Sequence, residues 1–192
     1  MSSIVKNFLQ GKTAVATASP TWQWHNHPLP LRQQTYLCTT LPPDKLISSA
    51  RAILLRGDEV MVIRDHQNEP YIIPGGRREP EETILETLHR ELLEETGWLV
   101  RETAVIGTIH FQHLNPKPAD YPYPHTHFFW SIFVAQAGQF YPEAIEEDFY
   151  VTSTHFLPIE EVLSWQLADG QHELLQIAVN FIDGKSSANF YT

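Results

Sequence analysis

Hydrophobic and polar positions along the chain change period several times, and the changes outline the elements. Residues 50–55 and 60–63 are apolar, β-rich runs separated by Arg56-Gly57-Asp58-Glu59, the pattern of a hairpin with glycine in its turn. Tyr71-Ile72-Ile73 reads as a short strand ended by Pro74-Gly75-Gly76. Ile84, Leu85, Leu88 and Leu92 then recur at helical spacing, with Pro80 where a helix can begin and Gly97 just past its end. Strands are predicted over 105–111 and over the aromatic run 127–134. The proline-rich segment 115–124 between them is too long for a simple turn. A last strand over 152–157, a short helix over 158–163 and a longer one over 173–182 follow. The longer helix carries Leu174, Ile177, Ala178 and Phe181 on one face, and Gly184 can stop it. The order of strands, helix, strands, helix predicts an α/β (α+β) domain, a mixed sheet between helices.

The first 45 residues have a different texture. Pro20, Pro28, Pro30, Pro42 and Pro43 argue for extended, irregular chain, while Trp22 and Trp24 at period two mark a short strand. Disordered segments are poor in aromatics. Residues 1–45 are therefore expected to be an arm that packs on the main domain, residues 46–192, or on a second copy of the chain in a homodimer.

At 192 residues the chain is one domain with an appendage. Its 13 Lys plus Arg against 23 Asp plus Glu leave a net charge of −10, which excludes non-specific nucleic-acid binding. An anionic substrate would need local cations to overcome that repulsion. A single cysteine, Cys38, makes neither an internal disulfide nor a cysteine-based zinc site, and it is expected to be inert. The N-terminus lacks the basic start and apolar run of a signal peptide. No stretch approaches the roughly 18 apolar residues of a membrane span. The expected compartment is the cytoplasm, with no membrane partner.

Residues 75–98 carry the chemistry. On a helix, Glu91 and Glu95 are i and i+4, with Glu94 beside them, about a quarter-turn from the stripe of Leu85, Leu88 and Leu92. Like charges at this spacing oppose the helix by about 0.2–0.5 kcal/mol in water, and more when half-buried. A solvated acidic face, with Arg90 as partner of Glu94, explains the helix alone. It does not explain Pro74-Gly75-Gly76 before it. A hard divalent cation explains both, because it takes oxygen ligands together with a substrate phosphate, and glycines let backbone and phosphate approach closely. Such a metal also reconciles an acidic protein with an anionic substrate.

The segment resembles the Nudix box, G-x5-E-x7-R-E-U-x-E-E-x-G-U with U apolar. Gly76, Glu82, Arg90, Glu91, Leu92, Glu94, Glu95, Gly97 and Trp98 fill every specified position. The resemblance implies an α/β/α sandwich from about residue 46 to 184. It also implies Mg²⁺- or Mn²⁺-dependent hydrolysis of a small-molecule nucleoside diphosphate linked to another group. By the family pattern Glu91, Glu94 and Glu95 bind metal, the Gly75 carbonyl can add a ligand, Arg90 orients the glutamates, and Glu82 supports the loop–helix junction. The general base varies; a box glutamate or an acid from a later loop can serve. The alternative is a Nudix-type nucleotide-binding or regulatory domain without turnover, although such modules usually lose box glutamates.

Outside the box, Glu143, Glu146, Glu147 and Asp148 form a second acidic cluster where some relatives supply an extra base. Glu146 is the candidate, against a solvated loop. Arg51, in the first core strand, is a phosphate contact or one half of an edge-strand salt bridge. Arg77 and Arg78 can touch phosphates, with surface solvation the stronger reading for at least one. Tyr121 and Tyr123 offer flat faces to a base or sugar. His125 and His127 would share a strand face. Together with His110 and His113 they suggest aromatic-like packing or base contacts more than zinc.

Overall fold

The computed structural model describes residues 2–146 and 151–182. A short helix α1 (Ser3–Leu9) leads into β1 (Ala14–Ala18), β2 (Thr21–Trp24) and β3 (His27–Leu37). Next come β4 (Ile47–Arg56), β5 (Glu59–Arg64), β6 (Pro70–Tyr71) and β7 (Gly75–Arg77), then helix α2 (Ile84–Thr96). The long strands β8 (Trp98–His113) and β9 (His127–Phe140) precede β10 (Ser153–Pro158), α3 (Ile159–Leu163) and α4 (Gln171–Ile182).

The strands form one curled sheet in the order β1-β3-β8-β9-β4-β5-β10, with β2 on β3, β6 on β5 and β7 on β4. The β4–β9 pair is parallel and its neighbours are antiparallel, so the sheet is mixed. Side chains alternate across it. Ala50, Ala52 and Leu54 of β4 join Leu88 and Leu92 of α2 in one core. Ile53 and Leu55 point the other way, into a second core with Val162 of α3 and Leu174, Leu175 and Ala178 of α4. Helices on both faces of a mixed sheet make the expected α/β/α sandwich. Among the described residues, no helix is long and apolar enough to cross a membrane.

Several expectations change. The helix begins at Ile84 rather than near Pro80, because Thr83 closes a capping box with Glu86, and Glu81 takes a left-handed φ of 70° in the turn before it. Gly97 ends the helix in the left-handed region, φ 74°, as expected, its N–H donating to the Leu93 carbonyl. Only Pro70–Tyr71 pairs as a strand. Ile72 and Ile73 leave the ladder, and the Ile72 N–H donates instead to Gln171 Oε1 at 2.8 Å. Strands β8 and β9 outrun the apolar runs 105–111 and 127–134, because the flanking residues, from Trp98 opposite Phe140 to Gln112 opposite His127, still pair with each other. Gly184 lies outside the described residues.

The largest difference is the arm. Rather than irregular chain, it supplies three strands, and β3 runs beside β8 from Leu31 to Leu37. Pro28 and Pro30 sit in the part of β3 that faces only β2, outside the β8 register, so their missing N–H groups disturb little. Trp22 packs on Phe111, Phe128 and Trp130, with ring centroids 5.1, 5.8 and 5.7 Å away. The tryptophans that motivated a second subunit thus find their apolar surface within the chain.

Candidate active site

Two of the α2 carboxylates, Glu91 and Glu95, reach the short strand β7 that precedes the helix. Gly75 and Gly76, in β7, lie beside Arg51 and Ala50 of β4. The Gly75 N–H donates to Glu95 Oε2 at 2.6 Å. Gly75 has a φ of 124°, and a Cβ there would collide with the Ala50 and Arg51 backbone, so only glycine permits this approach. A Cβ on Gly76 would meet the Glu91 carboxylate, so the bare glycine forms the cradle that this carboxylate occupies.

Arg90 ties the cluster together. Its Nε and Nη2 donate to Glu82 at 2.6 and 3.0 Å, its Nη1 to Glu91 and Glu94 at 2.9 and 3.0 Å, and Nη2 also to the Arg77 carbonyl. Glu82 further accepts from the Thr87 hydroxyl and the Glu79 N–H. The Arg90 hydrogen bonds hold its carboxyl far below the usual range, at about 2. Glu91 goes the other way, because burial raises its pKa despite Arg90. Among the described residues, no three His, Cys, Asp or Glu side chains already surround one metal position. Glu91 and Glu94 are turned onto Arg90 instead. The donor set is all oxygen, as Mg²⁺ and Mn²⁺ prefer. The Gly76 cradle brings the Glu91 carboxylate against β7.

Glu146 lies next to this helix. Its backbone N–H donates to the Glu94 carbonyl at 2.9 Å, and the residue is exposed. Glu147 and Asp148 lie outside the described residues.

Beside the glutamates opens a cleft of about 520 Å³, lined by Arg51, Arg77, Tyr121, Tyr123, Trp22 and Trp130, among others. All four residues expected to contact substrate thus share one cavity. The Arg51 guanidinium stands 4.2 Å from the Trp130 ring centroid, donates to the Ile73 carbonyl, and keeps a buried Nε without a partner. Burial lowers its pKa, and the charges of Glu95 and Glu91 oppose that shift. It forms no edge-strand salt bridge among the described residues. Arg77 lies over the Tyr123 ring, 3.7 Å from its centroid. Arg78 is engaged elsewhere, by Asp44 at 2.8 Å and the Glu82 carbonyl at 2.7 Å. Tyr121 is buried, its ring packed on Trp24 and Tyr123 and its hydroxyl 3.4 Å from His113 Nε2, so most of its surface braces the loop.

The histidines pack rather than share a strand face. His125 precedes β9, while His127 opens it and stacks on His110, with Nε2···Nδ1 at 3.1 Å. His113 stacks on His125. Burial lowers His110 and His113 to about 4. Cys38 is half-buried, and burial raises its thiol pKa.

Trp22, Gln23, Ser48, Ser49 and Trp130 in the cleft wall were not among the residues proposed from sequence. The Trp-Gln-Trp period and the aromatic run 127–134 were the available signals. Neither reveals which side of a curled sheet they reach.

The NUDIX domain family matches residues 45–176. The chain belongs to the Nudix family. With its box intact, this Nudix chain is a hydrolase acting on phosphoric anhydrides. A comparison with curated proteins gives no match. Among solved structures, the fold is similar to a Nudix hydrolase from Nitrosomonas europaea, 22% identical, covering 72% of this chain and 90% of that one, TM-score 0.51. It is also similar to a pyrophosphohydrolase from Bacillus subtilis, 15% identical, covering 88% and 99%, TM-score 0.55. A third is the NUDIX domain of Shewanella oneidensis NrtR complexed with ADP ribose, 19% identical, covering 71% and 88%, TM-score 0.51.

Proposed function

We propose that the chain is a divalent-metal-dependent pyrophosphohydrolase that cleaves a nucleoside diphosphate linked to another group. The observation that carries this reading is the approach of Glu91 and Glu95 to Gly76 and Gly75 of β7, with Glu94 tied to Glu91 through Arg90, beside an aromatic cleft holding two arginines. Glu91, Glu94, Glu95 and the Gly75 carbonyl would hold Mg²⁺ or Mn²⁺. Bound there, the metal supplies charge neutralisation at the diphosphate and a more acidic water. Arg90 orients Glu91 and Glu94 through its Nη1, which donates to both. Arg51 and Arg77 bind the anionic diphosphate and offset the net charge of −10. Glu146, carried against Glu94 by its backbone, accepts the proton of the attacking water. The ADP ribose bound by the Shewanella NUDIX domain supports a nucleotide derivative as the ligand class.

The test is formation of the nucleoside monophosphate and the phosphorylated other group from a panel of nucleoside diphosphate derivatives, resolved by chromatography, with Mg²⁺ and with chelator. Metal-dependent turnover is expected. Tight binding without turnover of any member would favour a nucleotide-binding or regulatory domain.

A further inference from the structure

Arg56, Arg78 and Arg90 each pair with a carboxylate. Arg51 and Arg77 have no carboxylate within ion-pair distance among the described residues, and both line the same cleft. They are anchored differently. Arg51 is pinned to the Ile73 carbonyl and the Trp130 ring. Arg77 is exposed, its carbonyl held by Arg90 while its guanidinium rests on Tyr123. A cation over an exposed ring is held weakly. A charge-assisted, bidentate bond to phosphate is stronger. The Tyr123 ring is fixed in its plane by Trp24 and Tyr121, packed at 89° and 81° to it. Removing the guanidinium therefore leaves the ring in place with its covered face open.

We propose that Arg77 is an exchange latch. The diphosphate of a nucleoside 5′-diphosphate derivative draws the guanidinium off Tyr123, and the nucleobase takes its place on that ring. The nucleoside half of the substrate then lies in the cleft walled by the N-terminal ribbon and the 114–126 loop, and the other linked group lies outside it. The site thereby separates base-bearing diphosphates from base-free ones, since phosphate alone opens the latch but leaves the ring uncovered. This rests on reading the site as one for nucleoside diphosphate derivatives, and it concerns binding, before any bond is broken.

The experiment measures binding of ADP, inorganic pyrophosphate and adenosine to the full chain, with Ca²⁺ replacing Mg²⁺ and again in chelator. Wild type is expected to bind ADP at least tenfold more tightly than pyrophosphate. Tyr123→Leu should lose roughly tenfold for ADP, the scale of one base–aromatic stack, and bind pyrophosphate as tightly as wild type or up to roughly fivefold more tightly, because no ring holds the cation back, while Tyr123→Phe should behave as wild type. Arg77→Ala should bind ADP and pyrophosphate more weakly. It should bind adenosine roughly two- to fivefold more tightly, because the cation no longer competes for the ring. A simple structural defect does not produce that opposite sign. Equal affinity of wild type for ADP and pyrophosphate, unchanged ADP affinity in Tyr123→Leu, or weaker adenosine binding in Arg77→Ala each overturns the latch. So does an absence of ADP binding in both buffers. A chain with the expected pattern but no Mg²⁺-dependent turnover would overturn the hydrolase reading and leave the latch intact; turnover without the pattern would do the reverse.

Discussion

Gly76→Ala separates the demands of the site from those of the fold. Gly76 has no left-handed φ, so alanine is tolerated by its backbone, and the loss of unfolded-state freedom favours the variant by about 0.4–1 kcal/mol. The new Cβ would overlap both Glu91 carboxylate oxygens and stand 2.5 Å from Cδ, against the 3.4 Å where ordinary contact begins, so the carboxylate must retreat by at least about 0.9 Å. The obstructed atoms are the far end of a flexible side chain, which can rotate away. Stability should change by no more than about 1 kcal/mol, a Tm shift of about 2–4 °C. A displacement of about 1 Å in a positioned catalytic ligand lowers turnover on the order of 100-fold. Gly75→Ala is the contrast. Its φ of 124° and its contacts with the Ala50 and Arg51 backbone cannot relax, so it should lose about 2–5 kcal/mol, with Tm lower by about 10 °C. The assays are thermal melts, Mg²⁺-dependent kcat on the best substrate, and Mn²⁺ affinity by electron paramagnetic resonance. A Gly76→Ala chain with kcat and Mn²⁺ affinity within threefold of wild type would refute the cradle. A Tm loss as large as that of Gly75→Ala would show that Gly76 serves the fold.

Other predictions follow from the same geometry. Glu94→Gln should lose most turnover while its melt stays near wild type; near-normal kcat with excess Mg²⁺ would remove Glu94 from the metal set. Thr83→Ala breaks the capping box of α2 and should lower stability by about 1 kcal/mol with little change in KM; an unchanged melt would mean the cap contributes nothing. His110 and His113 have folded pKa values near 4, below the ordinary 6.5, so between those values the unfolded chain takes up protons that the folded one excludes. Their contribution is complete above about pH 6.5 and is lost as pH falls toward 4, by up to about 3 kcal/mol each. Urea midpoints at pH 7 and pH 5 measure this, and His110→Phe should flatten part of the dependence; equal slopes in the two chains would refute it. Deleting residues 1–42 strips β1–β3 from β8 and uncovers Phe111 and Trp130, so the shortened chain should be insoluble or melt much earlier; a soluble, active product would show that the arm is dispensable.

Chemistry carried by local spacing was legible in the chain itself. The nine box positions lie within 23 residues, and helical periodicity alone brings Glu91, Glu94 and Glu95 together, with Arg90 within reach of Glu94. The apolar, β-rich runs of β4 and β5 and the apolar face of α4 were equally local, so a mixed sheet between helices followed from their order. What tertiary structure alone decided depends on partners distant in sequence. Pro28 and Pro30 look like breakers until the register shows them outside the β8 pairing. Ile72 reads as strand until Gln171, 99 residues away, takes its N–H. The cleft is the clearest case. Trp22, Arg51, Arg77, Tyr123 and Trp130 come from five separate stretches, each with an ordinary local reading as core, surface cation or loop. Their meeting depends on the curl of the sheet and on the N-terminal ribbon folding over β8, which are long-range packing events with no period in the sequence to announce them.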